Sequence, residues 1–204
     1  DIDLGPGEVI LIEPGAMSRM SSNMSSSFQR QGGFFSAMFR KMFGGENFFL
    51  GKYEHPDGGT LTFAPSIPGA VEHYNLSNNH LNIMAGSFLA CTPGVNIKAK
   101  FGGLKALFSG EGAFLLEASG NGDLFFNSFG GIIEKEINGE FIVDTGHVVA
   151  FEPTLNYKIS GMGNWKSTML SGEGLVMTFN GNGKIYLQTR TVDGIASWFT
   201  PRLI

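Results

Sequence analysis

The sequence predicts an all-β protein built from three similar units of short antiparallel strands. Three observations carry that prediction: motifs recur in a fixed order, glycine is 30 of 204 residues, and only 16% of the residues are charged. An average soluble domain is about 25% charged. Glycine supplies the positive φ of tight turns, and the 19 phenylalanines provide apolar surface to bury between sheets. A chain of this mass buries about 70% of its extended surface on folding, enough for a core without staples. The single cysteine excludes a disulfide framework and any multi-cysteine metal site. No run approaches about 18 apolar residues, so no helical membrane span is expected. The chain opens on Asp1 rather than methionine, so a preceding N-terminal piece is expected.

The repeats define the elements. Phe108-Ser109-Gly110-Glu111-Gly112 returns as Leu170-Ser171-Gly172-Glu173-Gly174, and both run on into apolar stretches, Ala113 to Leu116 and Leu175 to Met177. Both then meet Gly-Asn-Gly, at 120–122 and 181–183. They leave it in alternation, through Asp123-Leu124-Phe125-Phe126 and Lys184-Ile185-Tyr186-Leu187. A fainter copy runs from Gly44-Gly45-Glu46-Asn47 to Asp57-Gly58-Gly59 and Thr60-Leu61-Thr62-Phe63. Ahead of the copies, Ala85-Gly86-Ser87-Phe88-Leu89-Ala90 matches Thr145-Gly146-His147-Val148-Val149-Ala150, with Pro14-Gly15-Ala16-Met17 as the weaker upstream form. Period-two alternation marks the strands, and Gly-Asn-Gly marks a hairpin turn because both residues tolerate positive φ. The repeats fall at about 7–79, 80–138 and 139–200. Units of this size seldom bury both faces alone, so three packed around a pseudo-threefold axis form one compact domain over 1–204.

The ordered set from Pro6-Gly7-Glu8 and Gly15-Ala16-Met17 through Phe88-Leu89-Ala90, Ser109-Gly110-Glu111-Gly112, Val143-Asp144-Thr145-Gly146-His147, Ser171-Gly172-Glu173-Gly174 and Leu187-Gln188-Thr189-Arg190 resembles the family of altered inheritance of mitochondria protein 24, also called domain of unknown function 124. The resemblance covers almost the whole chain. It implies a fold akin to the tryptophan RNA-binding attenuation protein (a β-sandwich or β-helix), repeated within one chain, and mostly bacterial, cytoplasmic members without an assigned enzymatic activity. The regulator label some members carry rests on fold analogy, and no site residue transfers.

Candidate chemistry is sparse. Asp144-Thr145-Gly146 has the form of an aspartic-protease triplet, but that chemistry needs a second aspartate, and the second repeat offers Met84 or Ala85 there. Asp144 therefore reads as a turn residue. Glu46, Glu111 and Glu173 share one context and could pair as acid and base, yet three symmetric carboxylates read as structural turn groups. His55, His73, His80 and His147 lack the His-x-His clustering of metal-binding cupins, so no metal and no cofactor is expected. Cys91 reads as a small buried side chain. A net charge of −4 has the wrong sign for a phosphate-binding surface, and Lys98, Lys100 and Lys105 read as a solvated face, so nucleic acid is not the expected partner.

The stretch from Phe34 to Phe43 predicts one short amphipathic helix. Phe34/Phe35, Met38/Phe39 and Met42/Phe43 recur at helical spacing with Arg40 and Lys41 opposite, between Gly32-Gly33 and Gly44-Gly45. The serine-rich lead, Ser21 to Gln31, reads as a mobile linker. So short a helix must dock on something: the chain's own core, a second subunit, a protein partner or a membrane surface. The leading expectation is a non-enzymatic scaffold or binding module acting as a homo-oligomer or through a hydrophobic surface, cytoplasmic or membrane-peripheral. A ligand- or RNA-binding regulator of the attenuation-protein type is second. A hydrolase using Glu111 and Glu173 is third.

Overall fold

A computed structural model describes residues 1–30, 49–100, 115–161 and 175–202. The first unit comprises β1 (Ile2–Leu4), β2 (Val9–Ile12), β3 (Met17–Met20), β4 (Ser25–Arg30), β5 (Phe49–Glu54) and β6 (Gly59–Phe63). The second comprises β7 (Val71–Met84), β8 (Phe88–Cys91), β9 (Val95–Lys100) and β10 (Leu115–Asn127), and the third β11 (Ile132–Asp144), β12 (Val148–Phe151), β13 (Asn156–Gly161) and β14 (Leu175–Gln188). In the second unit β10 pairs antiparallel with β7, β8 and β9, and in the third β14 pairs in the same way with β11, β12 and β13. The first unit follows the plan with its two long strands cut in half. β1 and β2 replace β7, and β5 and β6 replace β10, with β3 on β6 and β4 on β5.

Register and hydrogen bonding mark the equivalence. The ladders of β3, β8 and β12 pass over the second residue of each strand, Ser18, Leu89 and Val149 in turn. Just beyond, Ser21 Oγ accepts from Thr60 N, Thr92 Oγ1 from Asp123 N and Glu152 Oε2 from Lys184 N, each at 2.9 Å. Three different side chains thus satisfy the equivalent amide, just past the end of the short strand's ladder, which would otherwise be left without a partner.

Neighbouring units join through short ladders. β8 lies on β2, with Leu11 opposite Cys91 and Ile12 opposite Ala90, and β12 lies on β7, with Asn82 opposite Phe151 and Ile83 opposite Ala150. The result is an eleven-stranded sheet whose main path runs β11-β14-β12-β7-β10-β8-β2-β5-β4, with β1, β6 and β3 in a sheet of their own. A third ladder from β3 to β11, which would close the expected threefold ring, is not among the described pairings.

Three expectations need correction. The Gly-Asn-Gly motifs are not hairpin turns: 120–122 lies within β10 and 181–183 within β14. Gly120 has φ +116° and a Cβ there would lie 2.4 Å from the Gly94 carbonyl oxygen, while Gly181 has φ +136° and would meet Thr154 O at 2.6 Å. The glycines let a neighbouring loop cross the strand at close range, and in β10 a bulge falls between Gly120 and Asn121. The serine-rich lead is not wholly a linker, since Ser25–Arg30 forms β4. Its side chains read as polar because nearly all of them face solvent, Phe28 included. Finally, β7 and β11 run across the boundaries read from the motifs at 79/80 and 138/139, because strand units are defined by pairing and begin at Ile2, Val71 and Ile132.

Among the described residues the core falls into three clusters, one of them Leu4, Ile10, Ile12, Met24, Leu61 and Ala90 around the first unit. Leu81, Ile83, Phe88, Leu116, Phe126, Val149 and Tyr186 share one cluster drawn from the second and third units, and Leu11 and Leu50 extend it into the first. Phe151, Leu155, Met177, Phe179 and Ile185 pack together in the third unit with Leu115 of the second. Phe151 meets Tyr157 and Phe179 edge to face, at 5.3 and 5.0 Å between ring centroids. Each fully buried side chain of this size stabilises by roughly 1.5–3 kcal/mol.

Candidate binding groove

The chain leaves β14 and forms a helix that the sequence reading did not foresee, α1 (Val192–Phe199). Thr191 caps it, its Oγ1 accepting from Gly194 N at 3.1 Å, and Asp193 carries negative charge in the first turn. The signal was present in Thr191-Val192-Asp193, followed by apolar residues at 192, 195, 198 and 199. The helix buries none of its residues, and Val192 (53% exposed), Ile195 (36%), Trp198 (53%) and Phe199 (46%) remain open. That is unusual for an amphipathic helix of two turns, whose stability ordinarily comes from packing.

Between helix and sheet lies a groove of about 520 Å³. Phe129, Ile195, Trp198 and Phe199 give it apolar walls, while His147, Thr189, Arg190 and Thr191 add polar groups. Thr189 and Thr191 already accept backbone amides from Gly131 and Gly194, so their hydroxyl hydrogens remain to donate. His147 Nδ1 lies 2.7 Å from the Gln188 carbonyl oxygen. A carbonyl can only accept, so Nδ1 carries the proton. Among the described residues the Arg190 guanidinium has neither an ion pair nor a hydrogen bond. Arg202 stacks on Trp198, 4.3 Å from the ring centroid. The groove therefore joins an apolar wall to unpaired positive charge.

The residues singled out from sequence lie elsewhere or have structural partners. Phe34, Phe35, Met38, Phe39, Met42 and Phe43, with the helix expected there, lie outside the described residues, as do Glu46, Glu111, Glu173 and Lys105. Asp144 Oδ1 accepts from Gly146 N at 2.7 Å, and Thr145 Oγ1 donates to Leu175 O at 2.6 Å. The protease-like triplet is a capped turn between β11 and β12. Lys100 pairs with Glu117 and holds its carboxyl below the usual range, and Lys98 faces solvent beside it. His73 Nε2 bonds Asp123 at 2.8 Å, and buried His55 bonds Ser22 O at 2.8 Å. No three His, Cys, Asp or Glu side chains converge among the described residues. Cys91 is fully buried, which pushes its thiol up to about 12.

The family described as mitochondrial biogenesis AIM24 matches residues 1–190. The chain belongs to the AIM24 family. It is 30% identical over 205 residues to the uncharacterised protein M6_Spy0233 of Streptococcus pyogenes serotype M6, covering 96% of this chain and 83% of that protein. It is also similar to the crystal structure of protein SPYM3_0169 from Streptococcus pyogenes, with a TM-score of 0.81 at 28% identity, covering 99% of this chain and 92% of that one. The AIM24 match ends at Arg190, where the β body ends, so α1 lies beyond the residues matched to the family. No helix among the described residues is long and apolar enough to cross a membrane.

Proposed function

We propose that this protein is a non-enzymatic binding module that takes up ligands with an apolar body and an anionic head in the groove beneath α1. The observation that supports this most directly is the helix itself, which holds four large apolar side chains in solvent beside a groove containing Arg190, whose guanidinium is unpaired among the described residues. Covering Trp198, Phe199 and Ile195 supplies the affinity, at roughly 25 cal/mol per Å². Arg190 selects the head group by a charge-assisted hydrogen bond. A head group of either carboxylate or sulfonate chemistry suits a planar guanidinium.

The test is a titration with 1-anilinonaphthalene-8-sulfonate, whose aromatic body and sulfonate match the two halves of the groove. Saturable binding is expected. Ile195→Ser with Trp198→Ser abolishes it, and Arg190→Gln weakens it about tenfold, the size of one hydrogen bond to a charged group. Unsaturable binding, or binding that both variants leave unchanged, would sink the reading.

A further inference from the structure

We infer that copies of this chain assemble head to tail, the exposed edge of β3 in one copy pairing with the exposed edge of β11 in the next. Inside the chain, one kind of contact is made twice. β8 of the second unit lies on β2 of the first, and β12 of the third lies on the end of β7 of the second. In both, the strand with the one-residue bulge meets the last residues of the strand that precedes its own counterpart. Both contacts are fully buried: Leu11, Ile12, Ala90 and Cys91 in one, and Ile83, Ala150 and Phe151 with Asn82 in the other.

Three units in a row leave one half of this contact unused at each end. β3 is the first unit's counterpart of β8 and β12, with the same bulge, and among the described residues only β6 pairs with it. All four of its residues are exposed, Met20 at 43%. The end of β11 is the third unit's counterpart of β2 and the end of β7, and among the described residues only β14 pairs with it. Ile142, in the position of buried Leu11 and Asn82, is 58% exposed. Carrying the internal register across two copies sets Met20 against Ile142 and Arg19 against Val143, beside Asp144. Charge agrees with that pairing. Arg19 is the one charged residue of β3, whereas Glu140 and Asp144 flank Ile142 and Val143 in β11. Arg19 now pairs with Asp1 at 2.8 Å on an open surface, a contact cheap to exchange.

Because the two edges differ, the contact is heterologous. It closes into a ring or runs on as a filament, and a twofold dimer cannot satisfy it. Strand addition at an open edge supplies main-chain hydrogen bonds, and the Met20–Ile142 contact sets register.

Sedimentation velocity tests this with two single variants. Met20→Lys closes the β3 edge and Ile142→Lys the β11 edge, and both side chains are exposed, so circular dichroism should show each variant folded. The wild-type chain should sediment above the 22.0 kDa monomer, with each variant alone monomeric. An equimolar mixture of the two should give a 1:1 dimer of twice that mass that grows no further, since only one competent contact remains. A wild-type monomer at 100 µM (on the order of a weak transient contact), a mixture that stays monomeric, or a single variant that keeps the wild-type mass would overturn the inference. Arg19→Ala separates attraction from obstruction: weaker assembly supports the pairing with the acidic edge, and stronger assembly contradicts that part of the register.

Discussion

Glu13 shows how a single residue couples this fold to pH. It follows β2, where its backbone N–H donates to Leu89 O across the first inter-unit contact at 2.8 Å. Burial pushes its carboxyl from 4.5 up to about 7. The folded chain therefore holds a proton that the unfolded chain releases between those values. Stability is full below about pH 4.5 and falls as pH rises toward 7, by no more than about 3 kcal/mol. Thermal melts at pH 5 and pH 8 should show this fall in the wild-type chain. In Glu13→Gln the fall disappears and Tm at pH 8 rises by about 5 to 10 °C. A flat wild-type profile would contradict it. Cys91 is legible at the same scale, since a small apolar setting between Ala90 and Thr92 already argues burial. Asp144 is also legible as a turn residue, because its triplet has no second carboxylate to work with. Arg190 is not, because the absence of partners is a property of three-dimensional surroundings.

The glycines inside β10 and β14 set the shape of the elements. Gly181 and Gly139 face each other across the β11–β14 ladder, and both have positive φ. Only Gly181 is crowded, with Thr154 O 2.6 Å from where a Cβ would lie, whereas Gly139 has nothing within 4 Å. Gly181→Ala should cost about 2 to 4 kcal/mol and Gly139→Ala about 1 to 2 kcal/mol, the difference being the clash rather than the dihedral. Urea unfolding of the two variants measures it, and equal costs would show that crossing of the strand by the 154–155 loop plays no part. The same glycines explain where the sequence misleads. Gly-Asn-Gly after an apolar run satisfies the chemistry of a two-residue turn, and nothing local says that a third segment passes over it. The helix at 192–199 was missed for the opposite reason. Its cap and spacing are in the sequence, but no helix follows the corresponding strands β6 and β10, so the repeat pattern carries no sign of it. β4 is not legible as a strand because a strand with a solvated face carries little hydrophobic period.

At the scale of the molecule, the repeat is legible because Ser-Gly-Glu-Gly and Gly-Asn-Gly recur in one order, while the equivalence of Ser21, Thr92 and Glu152 and the strand ends of the plan are not, since three different side chains make the same bond. Motif spacing fixes how many units there are, but pairing fixes where each begins. The β body buries its own core in all three units, and α1 adds no buried residue to it. Stability and binding should therefore separate at Arg190. The most direct measurement compares the full chain with one ending at Arg190, by thermal melt and by titration with 1-anilinonaphthalene-8-sulfonate. Tm values should agree within about 3 °C, since less than about 1 kcal/mol of packing is lost, and saturable binding should appear in the full chain only. Equal binding by the shortened chain would contradict it, placing the site on the β body alone.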